Sequence, residues 1–71
     1  MSARKELWIF LRDPTNFVDY ARVEQFLTCL GVRSETDLNI LQDFHYDFLQ
    51  DLIVNDIARQ YRFQMCVLKL L

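Results

Sequence analysis

One glycine and one proline are all the backbone punctuation this 71-residue chain contains. Strands, hairpins and long loops are normally bounded by those two residue types. No stretch shows a sustained two-residue alternation bounded by turn residues, as a half-buried strand would. The two breakers, Pro14 and Gly31, fall between runs of helical periodicity. The chain is therefore expected to be all-α: a compact bundle of four to five short helices joined by tight connections.

The length permits one domain, spanning residues 1–71. Domains of this size bury only about 60% of their unfolded surface and are marginal unless something compensates. Here the compensation is content: 52% of the residues are apolar, including one Trp, three Tyr and six Phe. That is more apolar surface than a lone small bundle easily hides. Either the core is dense or some apolar surface serves a partner. The C-terminal VLKLL lies inside an uncapped apolar run, from which we expect the chain to be a fragment of a longer protein.

Local signals place five helical segments. Ser2 is a suitable N-cap for a helix over 3–12, ended by Asp13-Pro14-Thr15-Asn16. Asn16 with Asp19 resembles a cap for a second helix over 17–30. Tyr20, Val23, Phe26, Leu27 and Leu30 form its apolar stripe, and Gly31 stands where a left-handed C-terminal cap is wanted. Ser34 and the acids Glu35 and Asp37 open a third helix over 35–44, after which His45-Tyr46 breaks the run. A fourth segment covers 46–52. Asn55 caps a long final helix over 56–71. That helix is apolar on two sides: Ile57, Tyr61, Met65 and Leu68 form one stripe, and Phe63, Val67 and Leu70 another. The first stripe is expected to be buried, in the monomer or against another copy. The second is expected to supply surplus apolar surface for an interface.

The chemistry-bearing residues do not assemble into a catalytic motif, so a non-enzymatic role is expected. His45 has Asp43 and Asp47 two residues away on either side, and residues two apart on a helix do not face each other. Two Cys and one His are too few for a structural zinc site, and one glycine cannot build a phosphate-binding loop. No metal or cofactor is implied. Cys29 and Cys66 sit in apolar contexts and are expected to be buried thiols. No secretory signal or membrane-length apolar run is visible, which makes a cytoplasmic or nuclear location the default. The net charge of −2 lacks the basic excess of nucleic-acid binders.

Charge placement is more informative. Asp43, Asp47 and Asp51 recur at i, i+4, i+8, which aligns them on one face if the segment is helical. Such like-charged neighbours are mildly unfavourable locally. Arg59 and Arg62 lie near the start of the last helix, against its dipole. Charges set against local preference mark either a surface for an opposite partner or pairing within the monomer.

The stretch VEQFLTCLGVRSETDLNIL resembles the opening of the sterile alpha motif family, in which a helix ends in a Leu-Gly-hydrophobic signature, and FLQDLIVNDI resembles its middle part. The similarity covers about residues 17–71. IARQYRF replaces the family's second glycine-containing turn, and the first helix with Trp8 is an addition. The resemblance implies an interaction module that self-associates head to tail, an acidic middle surface meeting the positive start of the final helix of the next copy. Carried over, the surfaces are Asp43, Asp47 and Asp51 against Arg59 and Arg62. A few members bind RNA hairpins through basic residues near the start of that helix. The expected function is thus protein–protein interaction, as a homo-oligomer or with a similar helical domain. A scaffold fragment dimerising through apolar surface at Phe63, Val67 and Leu70 is the first alternative, and RNA binding the second.

Overall fold

The computed structural model describes residues 1–70 and is all-α. Helix α1 (Ala3–Leu11) is followed by a 3₁₀ turn (Pro14–Asn16), α2 (Tyr20–Leu30), a 3₁₀ helix (Glu35–Ile40), α3 (Asp43–Asp51) and α4 (Ile57–Leu70). These pack into a body measuring 27 × 24 × 21 Å. Helix α1 lies against α4 and the Glu35–Ile40 segment, and α3 also leans on α4. Leu71, where the sequence ends the last helix, is outside the described residues.

Several boundaries follow from local chemistry. The Ser2 hydroxyl accepts from the Lys5 amide at 3.1 Å and starts α1. Gly31 adopts φ +85°, the left-handed conformation in which a side chain is strained. Around it the Gly31 amide donates to the Thr28 carbonyl and the Val32 amide to the Leu27 carbonyl, the paired bonds of a Schellman cap.

Other boundaries move. α2 begins at Tyr20, not Phe17, with Asp19 rather than Asn16 as its N-cap, accepting from the Arg22 amide at 3.2 Å. Phe17 and Val18 are unavailable to a helix because they run extended beside the α3–α4 link. Phe17 and Ile53 form an isolated antiparallel bridge, and the Val18 amide donates to the Leu52 carbonyl at 3.0 Å. The third segment is a 3₁₀ helix, and Ser34 makes no capping bond to its backbone. Instead the Asp37 carboxylate accepts from the Arg33 amide. His45 does not break a helix but secures the start of α3, its Nδ1 accepting from the Gln42 amide at 3.0 Å. α4 is capped by Asp56, which accepts from the Ala58 and Arg59 amides, not by Asn55.

The core gathers one apolar face from each element: Leu7, Phe10 and Leu11 from α1, Val23 and Leu27 from α2, Leu38, Leu49, and Phe63 from α4. Phe10 lies at its centre, with ring centroids 5.8 Å from Phe17 and 5.5 Å from Phe63. Asn16 is the buried polar residue among those described, 1% exposed. Its amide nitrogen donates to the Phe10 carbonyl at 3.0 Å, and its own carbonyl accepts from the Val54 amide at 3.0 Å.

Helix α4 turns the Phe63 stripe, not the Ile57 stripe, to the core. Phe63 is 1% exposed and belongs to the core, with Cys66, Val67 and Leu70 packed partly against it. Ile57, Tyr61 and Leu68, expected to be covered in the monomer or by another copy, are 85%, 62% and 57% exposed in the monomer. Both stripes have helical spacing. The one that fits between α1 and α3 is the one led by Phe63, whose ring meets Phe10 and Tyr46.

Two outcomes test this packing by thermal or urea unfolding at low protein concentration. Phe63→Ala should cost about 3–5 kcal/mol, whereas Leu68→Ala should stay within about 0.5 kcal/mol of the parent. Asn16→Leu should cost about 0.5–1.5 kcal/mol by removing the shorter of the two hydrogen bonds to the Phe10 carbonyl, the other coming from the Asp13 amide.

Candidate functional site

The surface of α3 is built as its spacing demands. The segment is helical from Asp43 to Asp51, so Asp43, Asp47 and Asp51 share one exposed face. Their carboxylates form no ion pair among the described residues, where the salt bridges are Arg12–Glu24, Arg59–Asp56 and Lys69–Glu6. Beside that face Phe44 and Phe48 are also exposed. Phe48 stacks on Phe26 at 4.5 Å and Phe44 on His45 at 4.1 Å. The sequence gives the i, i+4 spacing of Phe44 and Phe48, but a helix boundary drawn between them hides their shared face.

The basic counterpart is largely engaged within the chain. The Arg59 guanidinium pairs with the Asp56 carboxylate at 2.8 Å, and the same carboxylate caps α4. Arg62 lies over the Phe10 ring at 5.3 Å, a cation–π contact at the rim of the core. The Asp13 carboxyl is held below the ordinary carboxylate range. The Thr15 hydroxyl and amide bonds are the main cause, and the Arg59 and Arg62 charges add to it. Of the expected basic pair, Arg62 is exposed, while Arg59 is partly covered and neutralised by Asp56.

The expected apolar interface needs correction as well. Phe63 is core and unavailable to a partner, and Val67 and Leu70 are half-buried against it. The outward apolar surface of α4 is instead the line Ile57, Tyr61 and Leu68, with half-buried Met65 at its edge and Gln64 interrupting it. The 4-3-4 spacing of Ile57, Tyr61, Gln64 and Leu68 is that of a two-helix seam.

A groove runs along each side of this ridge. Between α1 and α4 a 450 Å³ groove is lined by Ile9, Phe10, Tyr61, Met65 and Cys66, with Glu6, Arg62 and Lys69 at its polar edge. Between α3 and α4 a 500 Å³ groove has Tyr46, Phe63 and Val67 for walls and Asp43, Asp47, Gln50, Gln64 and Leu68 around it. The ridge thus has a basic side, where the Lys69 ammonium also meets the Glu6 carboxylate at 3.2 Å, and an acidic side.

Among the described residues no three His, Cys, Asp or Glu side chains gather as a metal site would require. No helix among them is long and apolar enough to cross a membrane. No protein-family model, curated protein or solved structure matches the chain.

The thiols differ from expectation: Cys29 is exposed on α2, and only Cys66 is partly covered. Burial pushes the Cys66 thiol up from its ordinary value, and the Glu6 carboxylate adds to the shift. Because Cys29 is exposed and Cys66 partly covered, a colorimetric disulfide reagent at neutral pH should modify Cys29 faster than Cys66. Comparison of Cys29→Ser with Cys66→Ala assigns the two phases.

Proposed function

We propose that the chain is a non-catalytic protein–protein interaction module that self-associates or pairs with a similar helical domain, with the outer face of α4 as its contact surface. The observation that carries this reading is the ridge itself. Three large side chains, Ile57, Tyr61 and Leu68, stand more than half exposed along the longest helix of a domain too small to waste apolar area. Covering each is worth about 1.5–3 kcal/mol. An exposed ion pair contributes about 0–1 kcal/mol. The apolar ridge therefore supplies the affinity, and the charges beside it have the smaller role.

The charge-led, head-to-tail arrangement implied by the sterile alpha motif resemblance is the second reading. The free carboxylates of Asp43, Asp47 and Asp51 favour it, and the engagement of Arg59 by Asp56 weakens it. The Gly31 cap and the long final helix agree with the resemblance. The unpaired thiols suit a cytoplasmic or nuclear module.

Sedimentation velocity across concentration and salt tests the reading. Association through the ridge should persist at high ionic strength, where charge-led contacts are screened. Tyr61→Glu and Leu68→Glu should each raise the dissociation constant by about tenfold or more, the equivalent of ~1.4 kcal/mol, with helicity unchanged. An association unaffected by either substitution but dispersed by salt would shift the assignment to the charged surfaces.

A further inference from the structure

We infer that the occupant of the α4 ridge is the α4 ridge of a second copy, packed parallel and in register about a two-fold axis that runs along the helices. The inference rests on the self-association reading above and adds the geometry. It follows from how charge is distributed across the ridge. On the α3 side stand Asp43 and Asp47, and no cation lines that groove. On the α1 side stand Arg62 and Lys69 with the acid Glu6, which pairs with Lys69 at 3.2 Å, so that flank is net positive by one charge and Arg62 is its cation without an ion pair among the described residues. Arg4 and Asp43 share a smaller hollow with Leu70, away from the Tyr61–Met65 part of the ridge.

The seam itself is compatible with a copy of itself. The residues that flank Ile57, Tyr61, Gln64 and Leu68 at heptad spacing are Ala58, Gln60, Met65 and Val67, none of them charged. Two such faces meet without like charges at the centre. Their outer flanks then decide the direction. A two-fold axis along the helices keeps them parallel and exchanges left for right, so the acidic flank of one copy meets the basic flank of the other. A two-fold axis across the helices makes them antiparallel and keeps left on left, so acid faces acid and base faces base. Height along the helix agrees with the parallel choice. Asp43 and Asp47 share a groove with Gln64, Val67 and Leu68, and Arg62 and Lys69 share theirs with Tyr61 and Met65. Both flanks therefore sit beside the same two turns of α4, and parallel pairing in register sets them opposite each other twice. The contact is isologous and closes at a dimer.

The charge substitutions use exposed positions only. In the parallel dimer, Asp43→Lys with Asp47→Lys places cations opposite Arg62 and Lys69 at both contacts and should weaken self-association about tenfold at low salt. Adding Arg62→Glu and Lys69→Glu to the same chain should restore it. An antiparallel dimer predicts instead that the first variant dimerises as the parent does and binds the parent more tightly than either binds itself. Independently, a nitroxide at Asn55→Cys in a Cys29→Ser, Cys66→Ala background reports direction. Parallel packing puts the two labels at the same end of the dimer, and antiparallel packing separates them by about 24 Å along the axis at 1.5 Å rise per residue. Long label distances, or a first variant that dimerises normally, overturn the parallel geometry and leave self-association standing. Failure of the charge-restored variant to recover overturns the proposed facing of the flanks. A parent chain that stays monomeric at all concentrations overturns both this inference and the reading on which it rests.

Discussion

The two links between helices hold each other, and Asn16 is where they do so. Its side chain satisfies the Phe10 carbonyl at the end of α1, and its backbone carbonyl takes the Val54 amide from the far link. Next to it Phe17 and Ile53 pair across the same gap. A buried amide is tolerated only when its bonds are made, so this geometry is demanding. Once satisfied, it fixes where α1 ends, keeps Phe17 extended, and delays α2 to Tyr20. The same clasp leads into Asp56, whose carboxylate starts α4 and orients Arg59. The outward ridge of α4 takes its heading from that start.

How far the sequence could be read depends on the range of the interaction involved. Ser2 and Gly31 are legible because their partners lie within a few residues. The helical class is legible because so few breakers are present. The start of α2 is not, because what keeps Phe17 and Val18 out of the helix is a segment distant in sequence. His45 illustrates the same limit at short range. A ring nitrogen can replace the usual carboxylate at the third helical position, and a breaker and a cap then look alike in the sequence. The alignment of Asp43, Asp47 and Asp51 needed only helical spacing and is present. Which face of α4 is core was beyond the sequence: both stripes have the right period, and the choice was made by Phe10 and Tyr46, which offer Phe63 aromatic neighbours.

In the proposed dimer the surface divides its work between two kinds of interaction. Apolar area on α4 is non-directional and carries magnitude. The charges are individually weak, but the two flanks differ in net sign, so in that dimer they would select orientation among packings of similar apolar burial. Arg59 contributes to neither, because Asp56 holds it as part of the helix start. Of the charges read along the sequence, Asp43 and Asp47 are exposed and without an ion pair among the described residues, and Arg59 is paired within the chain.

The packing of α1 against α4 joins the two ends of the described chain, with the Glu6–Lys69 pair across their outer edge. Most helical bundles of this size are assembled from neighbours in sequence and fold quickly for that reason. Here Leu7, Phe10 and Leu11 precede the rest of the core in the chain and wait for Phe63, the last buried residue among those described. Until then α1 is covered in part by Phe17 and the Glu35–Ile40 segment, and its side toward α4 stays open. The joining of α1 to α4 is thus a ring closure added to a body begun by nearer contacts, and its loop-closure entropy falls on that late step.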